Sequence, residues 1–515
     1  MLFASASSAQ SIADRANPLP WHYEAVENDG IPGIALPQAL ALLDSDQPVQ
    51  KVKVAVLDTG VNFGHAALQS SVYTNEGEIQ GNGIDDDGNG YIDDRHGWNF
   101  LVDSLGNNIH YAQYESNYAL HLYDSLTSNN LPLPQWLEKI DIETIRTMSE
   151  DTYEWVDECW FWTDIYIEFY FPYTELFDAE PIALEQIWYH RKALGIKGKQ
   201  KKRLKFLIDE QVTFQDLEYY VGEVQKSYEF WLNPDYNPRA TDEDDRFYGN
   251  PRSADDSGEH GTHVAGIIGA GSIWTETNIE APGIADGFAE IIPVRVVPDG
   301  DETDKDVANG IRYAVDAGAK IINMSFGKYV SMDPDRVAAA LQYAAENDVL
   351  VVHAAGNEAN NIDHYAFYPN AGGSDEIEAS FINVGATGWQ YDEYLIASFS
   401  NYGEREVDLF APGVSIHSTS SDGLYIDLDG TSMAAPVVAG VAAILRANFP
   451  ELTAPEIKEV LMQSVHKPDF NVVVPGEQSF GPGSPMSKLC KSGGIVNARQ
   501  AVLRAQALVA KKSQP

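Results

Sequence analysis

Cysteine is almost missing from this chain: Cys159 and Cys490 are the only two in 515 residues. Neither Cys-x-x-Cys nor His-Glu-x-x-His occurs, so the sequence offers no thiol redox motif and none of the common zinc spacings. A disulfide between two cysteines so distant in sequence is open only in an oxidising compartment, and unpaired thiols are the plainer expectation. Positive charge is scarce as well. Lys and Arg number 34 against 77 Asp and Glu, a formal net charge of −43. That balance excludes nucleic acid and anionic membrane surfaces as partners and favours solubility. No apolar run reaches the roughly 20 residues that a membrane-spanning helix needs.

What is present is ample core material, 44% hydrophobic residues, and four short stretches that carry chemistry. The first is Gly430-Thr-Ser-Met-Ala-Ala-Pro436, followed by the apolar run Val437 to Leu445. A helix starting here places Ser432 at its N-terminus, among free backbone N–H groups and the positive end of the dipole, and expects Pro436 in the first turn, where its missing N–H costs nothing. Ser432 is then either an ordinary helix cap or a nucleophile facing an oxyanion site.

A serine hydroxyl needs a base, and the base needs an orienting group. Val54-Ala-Val-Leu-Asp58-Thr-Gly60 reads as a buried parallel strand with Asp58 at its C-terminal end, where α/β sheets place their sites. Glu259-His260-Gly-Thr-His263 precedes an apolar helix, and Val349 to Asn357 is another strand ending in small residues and an amide. His263, one turn past His260, reads as a packing residue.

These motifs in the order Asp, His, Asn, Ser resemble those of the subtilisin-like serine peptidases, the subtilases. The resemblance covers roughly residues 36–102 and 250–508. It implies Ser432 as nucleophile, His260 as general base and acid, Asp58 as orienting carboxylate, and Asn357 as oxyanion donor beside the Ser432 N–H. It further implies that Ser325, Phe326 and Gly327 pair with substrate backbone and that Ala354, Ala355 and Gly356 line the first specificity pocket, where small walls leave room for a large apolar residue. Phe326 has core packing as its alternative. Strands alternating with helices after residue 290 predict an α/β fold. With the resemblance this becomes a subtilisin-like parallel sheet wrapped by helices on both faces, with an inserted all-helical subdomain.

Asp85, Asp87, Asn89, the Tyr91 carbonyl and Asp93 follow the 1, 3, 5, 7, 9 spacing of a calcium loop, with Gly90 at the sixth position. A structural calcium is expected, against a solvated acidic turn. His96 stands at the twelfth position, where a bidentate carboxylate belongs, so Asp94 or a loop elsewhere has to compensate.

Roughly 200 residues separate Asp58 from His260, and 103–249 differ in composition, rich in Trp, Tyr, Phe and Glu. Pro134 to Phe171 predicts one long or two joined helices, stopped at Pro172; Ala183 to Leu194, after Pro181, predicts another; Thr213 caps a third, with Asp216 completing a capping box. Helical insertions at this place occur in subtilases of the Bacteroides type, which Gly97-Trp-Asn-Phe100 and Tyr248-Gly-Asn250 resemble. The insertion is a lid, an arm for an unknown partner, or a stabilising outgrowth. Within it, Lys197 to Lys205 reads as a solvated turn or a dock for an acidic partner, and Asp242 to Asp245 as a solvated linker.

The expected layout is therefore an N-terminal arm at 1–35, catalytic parts at 36–102 and 250–515, and the insertion at 103–249. The Ala4-x-Ala6 spacing near the start resembles the tail of an export signal, which with the family places the protein outside the cytoplasm, in the periplasm, on the cell surface or in the medium. The expected activity is hydrolysis of protein or peptide substrates through an acyl-enzyme. The alternatives are peptide ligation on the same site, or an inactive binding protein acting through the insertion.

Overall fold

The computed structural model describes residues 20–43, 49–170, 183–236, 238, 246–252, 258–271, 282–476 and 482–513. The Ala4-x-Ala6 spacing, Pro172, Pro181 and the acidic run 242–245 lie outside the described residues.

Nine strands are described: β1 (Val52–Asp58), β2 (Trp98–Asn99), β3 (Ala289–Arg295), β4 (Ile321–Met324), β5 (Leu350–Ala354), β6 (Phe381–Thr387), β7 (Leu409–Pro412), β8 (Ile416–Thr419) and β9 (Tyr425–Leu428). The first seven make one parallel sheet in the order β2-β3-β1-β4-β5-β6-β7. β8 and β9 form a separate antiparallel hairpin. Parallel strands buried on both faces read as continuous apolar runs rather than alternations, and β1 shows the division of labour. Its Val52, Val54 and Val56 enter one hydrophobic core, while Ala55 and Leu57 enter the other.

Helices α1 (Glu259–Gly269) and α4 (Thr431–Asn448) cover the first core together with Ala454–Gln463 and Ala498–Lys512; α2 (Asp304–Asp316) and α3 (Pro334–Glu346) cover the second. Helix α4 is long and apolar enough to cross a membrane by length and composition alone, but 83% of it is buried within the protein, the condition of a core helix. The N-terminal arm adds Trp21, Tyr23 and Ile34 to the first core, and Leu36 and Ala39 follow it there.

Residues Tyr111–Asn237 form a compact unit of their own, narrower than the compositional boundaries at 103 and 249. The core holds the flanks itself: Asn99 and Asn250 exchange backbone hydrogen bonds of 2.9 and 3.0 Å, and Asn250 Nδ2 donates to Asn108 Oδ1 at 2.9 Å. The helical unit contains Glu115–Ser128, Ile142–Phe169, Leu184–His190, Gly198–Asp209 and Phe214–Lys226. Thr213 caps the last with Asp216 in a capping box, as the sequence predicts. The basic run does not form a turn. It lies in the helix Gly198–Asp209, because Leu204 and Leu207 give it an apolar stripe that packs into the unit's own core. The two cysteines are free and buried.

Candidate active site

Parallel β1 and β4 run in register with Leu57 opposite Met324, so the next residues, Asp58 and Ser325, leave the same sheet edge. Asp58 is 1% exposed, and its Oδ1 accepts from the Thr59 N–H at 2.7 Å and lies 2.8 Å from His260 Nδ1. That pairing fixes the imidazole with its proton on Nδ1 and turns Nε2 outward as the acceptor. Burial draws the imidazole's pKa down, but the charge of Asp58 and its hydrogen bond outweigh burial and leave His260 above the ordinary histidine value. A side chain cannot replace Gly261, whose Cβ would lie 2.1 Å from the Gly60 carbonyl; this glycine lets α1 approach the end of β1 closely enough for the pair to form.

Ser432 is the second residue of α4, with Gly430 as N-cap. Its Oγ donates to the Ser325 carbonyl at 3.0 Å, and Ser325 Oγ donates back to the Ser432 carbonyl at 2.8 Å. The second bond corrects the expected place of Pro436, which stands inside the helix beyond its first turn. Ser432 O is the carbonyl an N–H at position 436 would have satisfied. Proline lacks that N–H, and the Ser325 hydroxyl supplies the missing donor. Among the described residues Ser432 Oγ bonds to Ser325 rather than to His260.

Asn357 follows β5 by three residues. Its Oδ1 accepts from Thr431 N at 2.9 Å and from Thr431 Oγ1 at 3.0 Å. An N–H donor on that side identifies the oxygen, and Nδ2 lies at the start of α4, where a Cβ built on Gly430 would be 3.7 Å from it and 3.5 Å from Ser432 N. Gly356 N in turn donates to Thr431 Oγ1 at 3.1 Å. Ala354, Ala355 and Gly356 end and follow β5, and Ser325, Phe326 and Gly327 follow the neighbouring strand β4; Phe326 is partly buried and also packs on the second core. The ring of Phe367 lies against both glycines.

His263 packs as the sequence predicts, and Glu259 beside it carries a role the motif did not announce. Glu259 Oε2 accepts from Ser421 N at 2.9 Å, from Ser420 Oγ at 3.1 Å and from Ser421 Oγ. His263 Nε2 stands 3.0 and 3.1 Å from the Ile416 and Ile426 carbonyls, and burial lowers its pKa to about 4. Together they staple α1, which bears His260, to the β8–β9 hairpin, which runs straight into α4 and Ser432. Glu259 occupies a position with no charge signature in the pattern, so only its partners reveal it.

The acidic loop divides its residues. Asp85 accepts from the N–H groups of Gly88, Asn89 and Gly90, and Asp93 from those of Gly81, Asn82 and Gly83, so both serve as loop caps. Asn89 Oδ1 accepts from the Tyr91 N–H, and the Tyr91 ring is buried against Trp98 and Tyr313. The oxygens that converge belong to Glu78, Asp87 and Asp94, all within 4.8 Å of one another, with Glu78 and Asp94 buried. Of the three spaced carboxylates, Asp85, Asp87 and Asp93, only Asp87 joins that group; Glu78 comes from the preceding turn, where sequence spacing does not reach.

A family model described as "Subtilase family" matches residues 49–488. The chain is 38% identical over 261 residues to the thermophilic serine proteinase of Bacillus sp. (strain AK1), which is 50% of this chain and 54% of that protein. It is 38% identical over 243 residues to the cell wall-associated protease of Bacillus subtilis (strain 168), covering 47% and 25%. With thermitase of Thermoactinomyces vulgaris the identity is 40% over 204 residues, covering 39% and 66%. The chain thus spans from a quarter to about two thirds of the length of these relatives.

Proposed function

The chain belongs to the subtilase family, and from that premise we propose that it is an exported serine endopeptidase hydrolysing peptide bonds of protein or peptide substrates through an acyl-enzyme. The observation that carries this reading is the 2.8 Å pairing of His260 Nδ1 with a buried Asp58, on the sheet edge where Ser325 holds Ser432. Catalytic hydrogen bonds are often unmade before substrate arrives. A turn about the Ser432 Cα–Cβ bond frees Oγ from the Ser325 carbonyl for His260 Nε2. His260 then takes the hydroxyl proton as Oγ attacks the scissile carbonyl, and the imidazolium is stabilised by Asp58. The Ser432 N–H and Asn357 Nδ2 receive the oxyanion. His260 returns the proton to the leaving amine, and a water repeats the sequence to release the acyl group. Substrate backbone adds as an antiparallel strand to the edge at Ser325–Gly327. Export rests on the company of relatives such as the cell wall-associated protease.

We assign a structural calcium to the loop as well, with Glu78, Asp87 and Asp94 as its carboxylates. An all-oxygen donor set with two of three carboxylates buried suits a hard cation, which when bound neutralises their mutual repulsion and fixes the loop.

A fluorophosphonate probe tests the central reading. It should label the full chain and fail to label Ser432→Ala. A folded wild-type chain that neither takes the label nor cleaves casein would overturn it.

A further inference from the structure

We infer that Phe367 closes the primary specificity pocket from within, so that this enzyme cuts after small side chains such as Gly, Ala and Ser and rejects aromatic and long aliphatic ones. The inference rests on the proposed hydrolase reading, in which the Ser325–Gly327 and Ala354–Gly356 segments flank the residue before the scissile bond. Two small-residue walls at this edge would ordinarily leave a slot wide enough for a large side chain. Here the slot is already filled. A Cβ built on Gly327 would lie 2.4 and 2.6 Å from Cε1 and Cζ of Phe367, and one built on Gly356 would lie 2.9 Å from the same Cζ. One ring edge therefore touches both walls at once, and only glycine fits at either position.

The plug is held firmly. Phe367 is 6% exposed and packs between Tyr329, with ring centres 5.0 Å apart, and His353, at 5.8 Å. Lys328 and Tyr368 exchange backbone hydrogen bonds of 3.0 and 2.8 Å, and Asn370 Nδ2 donates to the Phe367 carbonyl at 2.9 Å. The wall on the other side is braced by Asn401, whose Nδ2 lies 2.9 Å from the Ala355 carbonyl, 2.8 Å from Glu358 Oε2 and 3.0 Å from Tyr329 Oη. A ring boxed on four sides, with its backbone pinned, has no low-cost route out of the slot. An incoming aromatic side chain would have to displace it, whereas a methyl or hydroxymethyl group needs only the space above its edge.

The test compares hydrolysis of peptide substrates identical except for Ala, Leu or Phe before the cut, in the full chain and in Phe367→Ala and Phe367→Leu, with fluorophosphonate labelling to count active sites. Wild type should favour Ala over Phe in kcat/KM, and Phe367→Ala should shift the Phe-to-Ala ratio upward by at least about 10-fold, the low end of what a single methylene is worth in an apolar pocket. Phe367→Leu should fall between them, which keeps the test open if the alanine variant folds poorly. A labelled wild type that prefers Phe, or labelled variants whose ratio does not move, would overturn the inference while leaving the hydrolase reading intact. No labelling and no cleavage in wild type would overturn both.

Discussion

Replacing Asp58 by asparagine isolates what its charge contributes. One carboxylate oxygen, Oδ1, takes both the Thr59 and His260 N–H groups, while Oδ2 is buried with no protein partner among the described residues. In Asp58→Asn the amide oxygen can keep the Oδ1 position and both its bonds, with NH2 standing where Oδ2 now lies. The imidazole then retains its tautomer, and what disappears is the negative charge facing the imidazolium of the transition state. His260 is 35% exposed, so an effective dielectric near 20 applies rather than that of a dry interior, and two unit charges about 4 Å apart interact by about 4 kcal/mol. At about 1.4 kcal/mol per decade the expected loss is about 10³-fold in kcat. Peptide hydrolysis normalised to fluorophosphonate-titrated sites, with circular dichroism melting as a check on folding, measures it directly. A folded variant that loses less than tenfold would mean that Asp58 orients His260 without stabilising it, and the electrostatic account would be wrong.

The pH profile should follow the raised pKa of His260. The base must be neutral, so kcat/KM rises with pH through a value above the ordinary histidine range, and in Asp58→Asn that limb should move to lower pH. Native stability takes the opposite sign: the contribution from His260 is full below its unfolded pKa and is lost as pH rises through the folded value, which urea titrations on either side of neutrality would detect. Glu259 works in the other direction. Burial raises its pKa, but the bonds from Ser421 and Ser420 outweigh that and depress it, so its contribution exists above the unfolded carboxyl value and vanishes as pH falls through the folded one. Glu259→Gln should therefore be less stable than wild type by about 1 kcal/mol at pH 7, discounted for its partial exposure, and equal to it in acid; equal unfolding midpoints at pH 7 would remove the staple. Chelation by EGTA should lower the melting temperature and expose the 75–97 loop to added trypsin, and Asp94→Asn should abolish the calcium-dependent part of that shift; insensitivity of wild type to chelation would remove the metal assignment.

The sheet and three of the site's side chains were readable because the motifs state their own packing constraints. His-Gly-Thr-His needs its glycine for α1 to approach Gly60, and an apolar run ending in Asp-Thr-Gly describes a strand buried on both faces. Pro436 was placed too early because sequence alone does not say which carbonyl goes without its N–H, nor that Ser325 supplies the donor. The metal group was half legible: spacing finds ligands along one loop, and Glu78 reaches in from another. The helix Gly198–Asp209 was hidden by its own charge, since five basic side chains outweigh Leu204 and Leu207 in any reading by composition. Phe367 left no trace at all. It lies outside any periodic segment, and nothing in its neighbours' identity points to the contacts its ring makes with Gly327 and Gly356.

The Asn99–Asn250 pairing has a consequence for how this sequence tolerates change. The core fastens residues 99 and 250 to each other with its own backbone, so the polypeptide between them is a closed loop whose anchoring there does not depend on what the loop contains. Loop-closure entropy grows only as the logarithm of length, about 0.6 kcal/mol for each doubling. The stretch beyond that pairing should accordingly tolerate changes of length, and a short Gly-Ser bridge from residue 110 to residue 238 should yield a chain that still folds.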